Sequence, residues 1–186
     1  FLAAALGAQE YRAFDPDTVR PGRFDNGKMW TFDNPPFEYW KQTYNFQPDQ
    51  KWMDFVRMSA VRLPGCTGSF VSPEGLVMTN HHCARDAGTA IEKPGEGFSE
   101  NGFYAKKATD ERPLKDYFVD QLQKIEDVTE RVQKAMNKAG EAGQVDAREA
   151  EFKTIKEEYG KKAGWEGLQL QTLTFYSGGK YALYGF

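Results

Sequence analysis

Residues 65–83 read GCTGSFVSPEGLVMTNHHC. The stretch holds both cysteines of the 186-residue chain, Cys66 and Cys83, and both of its histidines, His81 and His82. Inside it, two short β-prone runs, SFV and LVMT, flank SPEG. Proline fixes φ at one corner of such a turn and glycine admits a positive φ after it, so a β-hairpin is expected between Gly68 and Thr79.

Three chemistries fit the four side chains. A zinc ion would take two thiolates and an imidazole. Structural zinc sites usually draw on C-x2–4-C or H-x3–5-H pairs, however, and neighbours on a strand face opposite ways, which works against convergence here. A disulfide between Cys66 and Cys83 would staple the base of the hairpin and contribute about 3 kcal/mol by closing that loop. The same disulfide would also fix the backbone beside a histidine, as general-base catalysis requires. On the residues alone, the purely structural and the catalytic versions of the disulfide both stand.

On the N-terminal side, FEYWKQTYNFQPDQKWMDFVRMSAVRL (37–63) places Trp52, Phe55, Val56 and Ala60 at helical spacing, which predicts a helix running into Leu63. Residues 11–36 are rich in Asp, Pro, Gly and Asn and read as irregular chain. The extreme N-terminus, FLAAALGAQEYRAFD, resembles the tail of a secretory signal peptide over residues 1–8, with small residues Ala5 and Gly7 as its cleavage box. No run approaches the ~20 apolar residues of a membrane span.

On the C-terminal side, AIEKPGEGFSENGFYAKKATDERP (90–113) predicts an exposed loop anchored near Phe103 and Tyr104. Leu114, Phe118, Leu122, Ile125, Val128, Val132 and Met136 recur every three or four residues and predict an amphipathic helix running to about Ala139. A second helix is expected from Val145 to Lys162, with Phe152, Ile155 and Tyr159 as its apolar face. Leu168 to Phe175 and Tyr181 to Phe186 read as two strands around a Ser177-Gly178-Gly179 turn, the second of them stopping in mid-sheet.

Composition narrows the function class. Lys+Arg 24 against Asp+Glu 27, a net charge of -3, leaves no basic excess for phosphate-backbone binding, so nucleic acid is not an expected partner. With 40% hydrophobic and 15% aromatic residues the chain can bury a core. A disulfide would suit an exported protein.

Five landmarks then carry a resemblance: GCTGSFVSPEGLVMTNHHC, MWTFDN at 29–34, ENGFYA at 100–105, KIEDVTERV at 124–132 and FYSGGKYALY at 175–184. In this order they resemble the bacterial S46 peptidases, the periplasmic or secreted dipeptidyl peptidases of types 7 and 11. The first also resembles the histidine motif of chymotrypsin-fold serine peptidases, T-x-x-H-C. The resemblance implies an α+β chain, the N-terminal part of a chymotrypsin-like double β-barrel serine peptidase with helical insertions. Residues 9–186 would be the first portion of the catalytic domain, with a helical insertion at about 114–162.

The family's catalytic histidine stands immediately before the second cysteine of the motif, which carries over to His82. His81 would be its neighbour on the other side of a strand, and Cys66–Cys83 the accompanying disulfide. The implied substrates are peptides with a free N-terminus, with no cofactor and no metal, and a homodimer of the full-length parent is compatible with the resemblance. The family's aspartate and nucleophilic serine lie in later motifs that these residues do not contain; Ser69, Ser72 and Ser177 are not in such a turn. This portion is therefore expected to be inert alone. The alternative is a non-catalytic, disulfide-stapled secreted module that keeps the motif as scaffold.

Overall fold

The computed structural model describes residues 29–186; the signal-peptide reading of residues 1–8 lies outside them. Residues 29–48 belong to one unit and Asp49–Phe186 form another. In the first, helix α1 (Phe37–Tyr44) ends at Asn45, whose left-handed backbone (φ 51°) lets its N–H reach the Lys41 carbonyl at 3.0 Å. Edge-on contacts between Phe37 and Trp40 and between Tyr39 and Tyr44 line this helix.

In the second unit, Asp49 caps α2 (Gln50–Ser59) by accepting the Trp52 N–H at 2.8 Å. The single helix expected over 37–63 is thus two helices, and the chain turns extended at Ala60. There it enters β1 (Ala60–Leu63), where Val61 and Leu63 are buried and alternate with half-buried neighbours. Pro64 and Gly65 form the two-residue connection to β2 (Cys66–Phe70), with Gly65 at φ +72° supplying the conformation that a type II turn demands after proline.

The predicted hairpin is present. β2 pairs antiparallel with β3 (Val77–Thr79) through Gly68↔Thr79 and Phe70↔Val77. The Val71 N–H reaches the Leu76 carbonyl at 2.8 Å, and Gly75 takes φ +88° in the turn. The sheet order is β3-β2-β1-β4, where β4 is Asp120–Gln121.

The long amphipathic helix expected from Leu114 is a correction. Over its first half the chain is irregular apart from β4 and β5 (Lys124–Asp127), and the α-helices between Thr79 and Gly140 are α3 (His81–Ile91), the short α4 (Phe98–Asn101) and α5 (Thr129–Ala139), with a single 3-10 turn at Ala108–Asp110. Edge pairing decides the matter: Asp120 and Gln121 pair with Arg62 and Val61, and β5 pairs along its length with β7 (Lys180–Gly185). Strand partners satisfy those backbone groups where a helix would have satisfied them internally.

α6 (Gln144–Tyr159) follows the sequence reading closely, as do β6 (Leu170–Phe175) and β7, which meet around the Tyr176–Gly178 turn. The second sheet is ordered β5-β7-β6. Against it lies the main core of Val128, Val132, Phe152, Ile155, Trp165, Tyr181 and Leu183. Arg131 clamps α5 to α6, donating to Glu151 at 2.5 Å and to both Glu158 carboxylate oxygens at 2.5 and 2.9 Å. That pairing holds the Glu158 carboxyl below the usual range.

Two arginines brace the region where the chain passes between the two sheets. Arg57 of α2 donates to the carbonyls of Leu122 and Gln123 at 2.5 and 2.9 Å, pinning the chain where it passes from β4 to β5. Arg62 of β1 donates to Asp120 at 2.6 and 3.0 Å and to Gln171 of β6 at 2.6 Å, with its guanidinium 3.9 Å over the Phe186 ring.

Candidate active site

The site begins with hairpin geometry. Thr79 donates its hydroxyl to the Thr67 carbonyl at 2.7 Å, fixing the end of β3 against the start of β2. Asn80 remains extended, and its carbonyl accepts the Cys83 N–H at 3.0 Å as α3 begins. The disulfide expected between Cys66 and Cys83 is formed, with sulfurs 2.09 Å apart and Cα atoms 6.0 Å apart. It ties the first turn of α3 to the first residue of β2, so the helix is anchored on both sides of His82.

His81 and His82 stand on that helix, not on a strand. The expectation that they face opposite ways across a strand is thereby corrected. Successive residues of a helix diverge by about 100°, enough to separate the two rings but not to oppose them. Both imidazoles are exposed. Only His82 borders the open depression of about 490 Å³ whose other walls are Arg62, Leu63, Gly65, Cys66, Thr67, Asn80 and Cys83. One ligand atom from each of Cys66, His82 and Cys83 lies within 4.8 Å of the other two. With both sulfurs in the disulfide, neither is a thiolate able to hold zinc.

An orienting carboxylate does not come from the helix itself. Asp86 stands one turn on from His82, but its side chain is 89% exposed and its oxygen lies 3.3 Å from Arg85. Asp120, the more enclosed carboxylate, is held by Arg62 at 2.6 Å.

The far end of α3 is also fixed. Arg112 donates to the carbonyl of Ile91, the last residue of the helix, at 2.8 Å, and to both oxygens of Glu96 at 2.6 and 2.7 Å. Its guanidinium lies 5.2 and 5.0 Å from the Phe98 and Phe103 rings, themselves 5.0 Å apart. The Arg112 hydrogen bonds, with a further one from the Lys93 N–H, hold the Glu96 carboxyl down to about 2. The aromatic anchor of this loop is accordingly Phe98 with Phe103, whereas Tyr104 is 83% exposed.

Sequence reading missed Arg62, Asn80 and Arg112. Arg62 carries a faint signal as the charged residue between two apolar ones in an alternating VRL. Arg112 carries none, because its partner lies 16 residues away across an irregular loop.

Comparison with known proteins places this arrangement. The Peptidase S46 family profile matches residues 24–185. The Asp/Glu-specific dipeptidyl-peptidase of Porphyromonas gingivalis is 36% identical over 126 residues, covering 64% of this chain and 17% of the relative. Dipeptidyl-peptidase 7 of Phocaeicola vulgatus is 34% identical over 123 residues, with the same shares. Among solved structures, Porphyromonas endodontalis DPP11 superposes with a TM-score of 0.58 at 26% identity, over 70% of this chain and 19% of that one. Another crystal structure of that protein, in complex with the dipeptide Arg-Glu, gives a TM-score of 0.57 at 24% identity, which speaks to the fold alone. The chain thus spans about a sixth of the length of these curated relatives, 17% in each case. With its mixed helices and sheets matching those structures and the profile matched from residue 24 to residue 185, the chain belongs to the Peptidase S46 family.

Proposed function

We propose that this chain supplies the general base, His82, to an exported serine-type dipeptidyl peptidase that removes dipeptides from the free N-termini of peptides. The observation that carries the reading is positional. Of two adjacent histidines on one helical turn, His82 alone borders the open depression beside the disulfide. Family membership supports the activity class, since the matched relatives are dipeptidyl-peptidases, and DPP11 has been crystallised with a dipeptide.

In this mechanism His82 accepts the proton of a serine hydroxyl as the oxygen attacks the scissile carbonyl, then returns it to the leaving amine. The serine and the aspartate that orients the imidazole come from outside these residues. The disulfide and the Arg112 clamp hold α3 at its two ends, so that the imidazole is positioned before substrate arrives. Residues 9–186 are read as the first portion of a chymotrypsin-like double β-barrel with α5 and α6 as an insertion, and residues 1–8 as the end of a signal peptide directing it to the periplasm or beyond. Exposed Leu76 and Met78 on the hairpin, at 64% and 63%, support further strands covering this sheet. The disulfide supports an oxidising compartment.

A fluorophosphonate probe, which labels activated serines, tests the serine-type reading on the full-length parent. Labelling is expected in the wild type and strongly slowed in His82→Ala. A fully active parent that takes up no probe would overturn it.

A further inference from the structure

We propose that reduction of the Cys66–Cys83 disulfide creates a three-donor site for a soft divalent metal such as zinc, formed by the two thiolates and the His82 imidazole. Three observations carry it. First, the donors are already gathered, with one atom from each residue within 4.8 Å of the other two. A tetrahedral zinc with Zn–S of about 2.3 Å and Zn–N of about 2.0 Å sets its ligands roughly 3.6–3.8 Å apart. The sulfurs must therefore separate from 2.09 Å and the ring must draw in slightly, movements of one to two ångströms.

Second, the scaffold that presents the donors does not depend on the disulfide alone. Cys66 is held in register opposite Leu63 by the β1–β2 pairing, and Cys83 by its N–H bond to the Asn80 carbonyl. Third, the depression opens onto all three residues, which gives an ion a way in and leaves a fourth position for water. Thiolate and imidazole donors favour zinc over hard cations.

The redox step balances with a phosphine and water. The S–S bond accepts two electrons and two protons, giving two thiols, while the phosphine becomes its oxide. Each thiol then releases one proton as its sulfur binds the metal. A dithiol reductant would do the same and become a disulfide itself. The consequence for activity rests on the reading of His82 as general base. A metal on either ring nitrogen leaves the other carrying the ring proton, so no lone pair remains to take the serine proton and the reduced, metal-loaded protein would be inactive.

The test uses the full-length parent reduced by a phosphine under nitrogen without denaturant, with cobalt(II) as probe. One cobalt per chain should bind with sulfur-to-metal charge-transfer and tetrahedral d–d absorption, be displaced by zinc, and give no such bands while the disulfide is intact. His82→Ala should weaken cobalt binding by at least about tenfold, since even groups that merely support a ligand change metal affinity 10–100-fold. His81→Ala should leave it unchanged. Far-UV circular dichroism on the reduced chain separates loss of the site from loss of the fold. A reduced, folded chain without thiolate–cobalt bands would overturn the proposal, as would one that unfolds and is not restored by the metal. Equal affinity in His82→Ala, or equal weakening in His81→Ala, would also overturn it. Should His82→Ala weaken cobalt as expected while the parent enzyme keeps its activity, the metal site stands and the general-base reading fails.

Discussion

Gly68 sits where a side chain has no room. A Cβ added there would lie 2.8 Å from the Met78 carbonyl oxygen and 3.2 Å from Val77, both on the strand it pairs with, and a backbone atom cannot rotate aside. Gly68→Ala is expected to destabilise the chain by about 1–3 kcal/mol, measured by urea denaturation, whereas Gly88→Ala, which meets open space, should not. Glu96 makes a different kind of prediction. Its carboxyl is held down to about 2 chiefly by Arg112, so the native state binds its proton less readily than the unfolded chain. The stabilisation is complete above the ordinary carboxylate range near 4.5 and is lost as pH falls from there towards about 2. Glu96→Gln should flatten the fall in Tm over that window and leave the profile above pH 6 parallel to wild type. Much of the site could be read at this level, because SPEG, the paired cysteines and the doubled histidine are local signals. The Arg112 clamp could not, since its carboxylate and aromatic partners are brought together only by the folded loop.

The α5–α6 pair is where the sequence pattern and the core agree. Val132 and Ile155 are wholly buried, and Phe152 packs edge-on to Tyr181 of β7 at 5.8 Å. Ile155→Ala should cost about 2–5 kcal/mol and Ile155→Val about 0.5–1.5 kcal/mol, while Val145→Ala, 61% exposed at the start of α6, should sit close to wild type. The misread stretch shows the limit of periodicity. Leu122, Ile125 and Val128 fall at spacings of three, as a helix face would, yet Leu122 and Val128 are buried on either side of a strand. Apolar spacing records burial only in part, since Phe118 of the same series is 50% exposed, and it was the free edges of β1 and β7 that decided the backbone conformation. The histidines were misplaced for a related reason: LVMT continues as far as Thr79, and nothing in NHHC marks the switch to helix except Asn80, whose side chain makes no cap bond.

In the molecule as a whole, α3 carries two exposed imidazoles between two constraints, a covalent one beside His82 and an ionic one at the far end of the helix. Cys66→Ser with Cys83→Ser should lower the stability of the chain by about 3 kcal/mol through the lost loop closure, seen as a lower denaturant midpoint with a somewhat steeper slope, because the denatured chain without the cross-link exposes more surface. The parent's activity should fall more than this destabilisation explains at temperatures where it remains folded. The proposed role of His82 concerns a whole peptidase, so on that proposal the decisive comparison belongs to the full-length parent. His82→Ala and His81→Ala should be compared by kcat/KM on chromogenic dipeptidyl substrates, with folding checked by circular dichroism. His82→Ala should lower kcat/KM by roughly 10³-fold or more and His81→Ala by no more than a few-fold; a His82→Ala enzyme that cleaves at the wild-type rate, or a His81→Ala enzyme that alone is dead, would contradict the assignment of the catalytic base.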